Sequence, residues 1–202
     1  MKMMDHERKL TPAAVLFDRD GTLVVDVPYN GDPELVTPMP GAQQTLERLR
    51  SLGLRTGVVT NQSAVALGKI GMDDMRSVNA RVEEILGPFD TWQVCPHAPD
   101  DGCACRKPRP GLVLAACRDL GVSPKEVVVI GDIGADMTAA LRAGARGIMV
   151  PSPTTLRREV LDAPAVAGDL WSALTLALGP DMASAAASPD PDSGASAMSS
   201  AA

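Results

Sequence analysis

Ala13-Ala14-Val15-Leu16-Phe17-Asp18-Arg19-Asp20-Gly21-Thr22 is an apolar run that breaks abruptly into two carboxylates and a glycine. Five residues without a polar side chain read as a buried strand, and the Asp and Gly after them read as a turn. Working outward, Glu126-Val127-Val128-Val129-Ile130 is a stronger strand and ends in Gly131-Asp132. Residues 56–59 make another strand and end at Thr60; residues 89–94 form a weaker one that runs into Cys95, and residues 147–150 a fifth. Helical spacing lies between them. Residues 41–52 carry Leu46, Leu49 and Leu52 before Gly53, and residues 73–86 carry Val78, Val82, Ile85 and Leu86 on one face. Residues 111–120, 135–143 and 170–178 complete the set. Strands alternating with helices predict an α/β fold, a Rossmann-like doubly wound parallel sheet. Strands as continuously apolar as Val127-Val128-Val129-Ile130 fit burial on both faces. Ligands of such sheets bind beyond the carboxyl ends of the strands, so Asp18, Thr60 and Asp132 are expected to converge there.

The rest of the chain narrows the possibilities. At 202 residues and 45% hydrophobic content, one domain with a real core is expected. Lys and Arg number 19 against 25 Asp and Glu, a net charge of −6, and there are two Trp, one Tyr and two Phe. That balance lacks the basic footprint and stacking surfaces of a nucleic-acid binder. The opening residues 1–9 are mostly polar or charged, unlike a secretory signal, and no run of about eighteen apolar residues offers a membrane span. A cytoplasmic, monomeric protein is expected. Residues 1–12 read as an N-terminal extension and 13–180 as the folded domain. Residues 181–202, mostly Ala, Ser, Pro and Asp, read as a disordered tail, too poor in apolar surface to offset the entropy of ordering.

The Asp18-x-Asp20-Gly21-Thr22 pattern arises by chance at only about one position in 10⁵. Its chemistry suits a phosphate ester. A carboxylate can attack phosphorus if a cation screens the repulsion. Mg²⁺ takes one or two carboxylates plus substrate oxygens. Asp132 is the natural additional ligand, with Asp136 one helical turn later, outside the first ring of ligands. One carboxylate of the pair can attack while the other moves protons. Thr60 can donate a hydroxyl and Lys107, in Arg106-Lys107-Pro108, a fixed positive charge to the phosphoryl oxygens.

Taken together, Phe17-Asp18-Arg19-Asp20-Gly21-Thr22-Leu23, Val59-Thr60-Asn61-Gln62-Ser63, Lys107-Pro108 and Gly131-Asp132-x-x-x-Asp136 resemble the four motifs of the haloacid dehalogenase superfamily of phosphatases, in order. Within it the chain resembles the heptose-bisphosphate phosphatases, with the histidinol-phosphate phosphatases as relatives. The resemblance implies a phosphoric monoester hydrolase with Asp18 as nucleophile and Mg²⁺ ligand. It implies Asp20 as general acid and base, binding Mg²⁺ through its backbone carbonyl. Thr60 and Lys107 would bind the phosphoryl group, and Asp132 would complete the Mg²⁺ site. Asp26 and Tyr29 match the substrate loop of the heptose branch, and Asn61, Gln62, Ser63 and Arg106 its other substrate contacts. About 36 residues separate Thr22 from Val59 and about 45 separate Asn61 from Lys107, too few for a cap domain.

Cys95-Pro96-His97 and Cys103-Ala104-Cys105 add a second constellation, C-x-H-x₅-C-x-C. Three thiolates and an imidazole are a complete tetrahedral set for structural Zn²⁺. Their place directly before Arg106-Lys107 implies that the metal orients those two cations. Cys117, among Leu114, Ala115 and Ala116, reads as a small core residue.

Against the heptose branch, Ala64 stands where a glycine is common, Leu67 where a basic residue is, and Ile133 where some members carry Lys. Weaker dependence on a second phosphate is therefore expected. The short gap from His97 to Cys103 resembles the histidinol-phosphate branch. A zinc-stabilised binding protein without activity is the alternative of another class. A signalling receiver would lack the second Asp, and the charge balance argues against a DNA-end phosphatase.

Overall fold

The computed structural model describes residues 11–179 together with 182 and 183. Five parallel strands, β1 (Ala14–Phe17), β2 (Arg55–Asn61), β3 (Thr91–Cys95), β4 (Val127–Gly131) and β5 (Arg146–Met149), form one sheet in the order β3-β2-β1-β4-β5. The order reverses at β1, which pairs with β2 on one side and β4 on the other. This reversal opens a crevice at the carboxyl ends of β1 and β4. Register brings Phe17 level with Val58 and Ile130, so Asp18 emerges directly beside Gly131 and Asp132.

Side chains alternate along each strand, so both sheet faces need cover. Val15, Phe17, Val58, Val128 and Ile130 face one layer, together with Leu46, Leu49, Val82, Leu86, Leu170 and Leu174. Those helical residues belong to α1 (Ala42–Ser51), α2 (Met72–Leu86) and α6 (Leu170–Leu178). Ala14, Leu16, Val59, Val127 and Val129 face the other layer, with α3 (Gly111–Leu120) and α4 (Gly134–Ala143). Each fully buried Leu adds roughly 1.5–3 kcal/mol of transfer free energy. Cys117 packs there as a buried side chain of α3.

The expected elements are all present, with shifted ends. Strand β2 continues through Thr60 and Asn61, so both belong to the strand itself. Strand β3 starts later because Asp90 turns its carboxylate back to accept from the Thr56 N–H at 2.7 Å. A further helix, α5 (Arg157–Asp162), has no buried residue and hence no apolar periodicity to betray it. Between β1 and β2 lie only a 3₁₀ turn at Pro33–Leu35 and α1, which is no cap domain. Of the expected tail, Met182 and Ala183 are described: Ala183 is buried against the α1–α6 layer, and the Met182 carbonyl accepts from Arg48. Residues 1–10, 180–181 and 184–202 lie outside the described residues. Among the described residues no helix is long and apolar enough to cross a membrane.

Candidate active site

Asp18 is set at the crevice by its own backbone N–H, which donates to the Ile130 carbonyl at 2.9 Å. Its Oδ1 is met by the Arg19 N–H at 2.6 Å and lies 3.0 Å from the Lys107 ammonium. Among the described residues, Oδ2 meets no donor. Gly21, at φ +75°, makes the turn that follows, and a Cβ there would lie 2.3 Å from Asp132 Oδ2. Glycine is thus required both for the left-handed backbone and for the approach of a second carboxylate.

Lys107 is buried. Its ammonium donates to the Val59 carbonyl at 2.8 Å and lies 2.6 Å from Asp136 Oδ1. Its backbone is gripped by Asn61, whose amide donates to the Lys107 carbonyl and accepts from the Lys107 N–H, both at 3.1 Å. Burial works against the charged lysine, but Asp136 and Asp18 outweigh it and hold its pKa above the usual value. Asp136 is fully buried and caps α4 by accepting from the Ile133 N–H at 3.2 Å. It serves Lys107 rather than the open cleft.

The carboxylates are crowded. Burial pushes Asp18 up to about 7; Lys107 pulls it back, while Asp136 and Asp20 push it further. Burial likewise raises Asp132 to about 6, against the hydrogen bond from Ser152. Ligand oxygens of Asp18, Asp132 and Asp136 lie within 4.8 Å of one another. Three carboxylates around one lysine leave net negative charge in a site with oxygen donors only. That donor set fits Mg²⁺.

Thr60 is buried at the floor of a cleft of about 260 Å³ that is also lined by Asp18, Asp20, Arg106, Lys107 and Asp132. An adjoining cavity of about 290 Å³ is bounded by Asp26, Tyr29, Asn30 and Gln62, and Asp20, Asp26, Asn61 and Ser63 line both. Tyr29 is 58% exposed and holds a left-handed backbone at φ 57°, a costly posture for a bulky residue. Burial and the nearby Asp20 raise the pKa of Asp26. Gln62, expected to meet substrate, is buried and spends its amide on Asp20 Oδ2 at 2.8 Å and Thr60 Oγ1 at 2.9 Å. Asn61 is similarly committed to the Lys107 backbone.

Sequence reasoning missed the hydroxyls that fix Asp132. Ser152 donates to Asp132 Oδ2 and Thr155 to the Asp132 carbonyl, each at 2.7 Å. They follow β5, and the strand-end rule that found Asp18 and Thr60 points to that loop as well. It also missed Arg19 and Asn79, joined at 2.6 Å.

The four Cys/His donors come together at one point. Cys95 Sγ lies 3.5 Å from His97 Nδ1, 3.6 Å from Cys103 Sγ and 3.2 Å from Cys105 Sγ. His97 Nδ1 and Cys105 Sγ are 3.2 Å apart. Edges of a zinc tetrahedron with S and N ligands run roughly 3.5–3.8 Å. These separations lie at the lower end of that span or a few tenths of an ångström inside it, and the three sulfurs and one imidazole fit that metal. Cys95 is buried and pairs in register with Asn61, which puts the cluster beside the cleft. Arg109 donates to the Cys103 carbonyl, and Arg106 reaches the His97 carbonyl at 3.4 Å.

A family model of haloacid dehalogenase-like hydrolases matches residues 29–144. The chain belongs to that family and is a phosphatase. It is 30% identical over 168 residues to a D-glycero-beta-D-manno-heptose-1,7-bisphosphate 7-phosphatase of Pseudomonas putida, covering 77% of this chain and 94% of the relative. A Helicobacter pylori protein of the same name is 33% identical over 138 residues, 66% of this chain and 80% of its own. The crystal structure of a D,D-heptose 1,7-bisphosphate phosphatase from B. bronchiseptica, complexed with magnesium and phosphate, superposes with a TM-score of 0.72 at 28% identity, covering 81% of this chain and 97% of that one.

Proposed function

We propose that this phosphatase removes the phosphate of a small phosphorylated sugar through a phosphoryl group carried on Asp18, with the 7-phosphate of D-glycero-D-manno-heptose 1,7-bisphosphate as the leading substrate. The observation that carries this reading is the grouping of Asp18, Asp20, Thr60, Lys107 and Asp132 at one uncapped sheet edge. An open cleft lets a primary phosphate on an extended polyol reach Asp18. Names of the relatives support the substrate class.

Asp18 would attack phosphorus as the ester P–O bond breaks, while a proton passes from the Asp20 carboxyl to the departing sugar oxygen. Water then attacks the phosphorus of the aspartyl phosphate and gives its proton to Asp20. The P–O bond to Asp18 breaks, freeing inorganic phosphate and restoring the Asp18 carboxylate, with Asp20 protonated again as at the start. Lys107 and Thr60 hold the phosphoryl oxygens. Mg²⁺, held by Asp18, Asp132 and the Asp20 carbonyl, would supply the positive charge that lets anionic nucleophile and phosphate meet. Zn²⁺ on Cys95, His97, Cys103 and Cys105 would be structural, steadying the loop that ends at Arg106. Arg106 presents a planar fork suited to distal phosphate or hydroxyls, and Asp26, Tyr29 and Ser63 would meet the polyol. The cleft of about 260 Å³ is of a size for small molecules, and we read the protein as a cytoplasmic enzyme.

Histidinol phosphate is the second reading. The adjoining cavity carries Asp20 and Asp26, and its one arginine, Arg19, is engaged by Asp20. Nothing there welcomes a second phosphate over an amine or hydroxyl. Phosphate release from the heptose bisphosphate, fructose 1,6-bisphosphate and histidinol phosphate on one Mg²⁺-loaded preparation decides the matter. The heptose bisphosphate is expected to show the highest kcat/KM. A tenfold preference for histidinol phosphate, about 1.4 kcal/mol of transition-state binding, makes the second reading correct.

A further inference from the structure

Arg19 is only 2% exposed and is the largest of the fully buried side chains. Burying a guanidinium costs several kcal/mol, and an apolar residue of similar volume fills such space without that penalty. The use made of this charge is therefore informative. Arg19 Nε donates to Asp20 Oδ1 and Nη2 to Asp20 Oδ2, both at 2.9 Å, a two-pronged fork on the next residue in the chain. Nη1 donates to Asn79 Oδ1 at 2.6 Å, on α2. Gln62 completes the cage by donating to Asp20 Oδ2. The Arg19 backbone N–H holds Asp18 Oδ1. A single arginine thus touches both carboxylates of the pair, and its far end is fixed to a helix.

Asp20 keeps 27% side-chain exposure, toward the cleft that it lines. A carboxyl on a turn has free rotation about two bonds, and proton transfer to a leaving oxygen tolerates little misplacement. We propose that Arg19, anchored by Asn79, is a positioning residue that sets the plane and reach of Asp20 for proton transfer, so that α2 acts on the chemistry through that one guanidinium. The inference rests on Asp20 being the general acid of the proposed reaction.

The test exploits the leaving group, because a good one departs without a proton and a poor one does not. Using Mg²⁺-loaded protein, kcat/KM reports the first phosphoryl transfer, and it is measured with phenyl phosphate and 2,4-dinitrophenyl phosphate. Arg19→Met is expected to lose about 100-fold on phenyl phosphate, within the range of general acid catalysis, and no more than about tenfold on the dinitrophenyl ester. Asn79→Leu spares Arg19 and Asp20 and stands in if Arg19→Met does not fold. It is expected to lose about tenfold on the poor leaving group and about twofold on the good one. Equal losses on both esters, or none in Asn79→Leu, overturn the proposal. Asp20→Asn runs alongside. If its loss ignores the leaving group, the reading of Asp20 as acid fails; if it alone discriminates, only the role of Arg19 fails.

Discussion

The phosphoryl cleft and the Cys/His loop lie side by side at one sheet edge, yet they are assembled in opposite ways. The loop takes its four donors from residues 95–105, one short stretch of chain, and they meet within a few ångströms. The cleft collects its groups from the ends of β1, β2 and β4 and from Lys107, so only the completed sheet brings them together. Burial, with neighbouring carboxylates adding to it, leaves Asp18 at about 7 and Asp132 at about 6. A local cluster organises its own stretch of chain. A dispersed one is imposed by the fold and stores repulsion that a cation can relieve.

The largest expected effect lies in the cleft. Asp18→Asn should reduce phosphate release to background while far-UV circular dichroism and melting stay native-like, since the shape is kept and a charge removed. Asp20→Asn should follow at ~10²–10⁴-fold. Appreciable turnover in the Asp18 variant would break the dispersed-site account.

Next is the loop. Cys103→Ser should lower the zinc content from about one per chain and the Tm by roughly 5–10 °C, or ~2–3 kcal/mol for a domain of this size. Lys107 has its own anchors in Asn61, Val59 and Asp136, whereas the Arg106 guanidinium, among the described residues, reaches only the His97 carbonyl. The variant should therefore raise KM more than it lowers kcat. An equal fall in both parameters would mean that the metal also aims the lysine.

Third is pH. The pKa values of Asp18 and Asp132 lie above the ordinary 3.8, so between those values the folded chain holds protons that the unfolded chain has released. Stability from these groups falls as pH rises from about 4 toward 7. Thermal shift should show Mg²⁺ stabilising the protein more at pH 8 than at pH 5, where protons already relieve the crowding. The reverse order would refute stored repulsion. The smallest effect is that of Ser152→Ala, which should weaken Mg²⁺ binding by about tenfold in a titration and leave Tm nearly unchanged.

How much could be read beforehand follows the same division. The four Cys/His donors are legible because their spacing is local, and Asp18, Thr60 and Asp132 because strand ends converge in any doubly wound sheet. Helix α6 was legible to the residue, with Asp169 capping it and Gly179 closing it. Arg19, Asn79 and Ser152 were not, since each is defined by a partner distant in sequence or by a carboxylate whose orientation only the fold decides. Asn61 and Gln62 were placed on the substrate, yet their amides turn inward to Lys107 and Asp20. An amide carries no charge to declare its partner, and tertiary neighbours choose for it.

The two hydrogen bonds between Asn61 and the Lys107 backbone have a consequence for how such enzymes can diversify. They fasten the chain to β2 at the point where the loop of residues 96–106 returns to the sheet. Everything between Cys95 and that fastening is then a replaceable cassette with fixed ends. Insertions, deletions or a different set of ligands can reshape the wall that meets the sugar while the lysine stays in register. Substrate preference can drift in such a lineage without reopening the problem of how phosphate is cleaved.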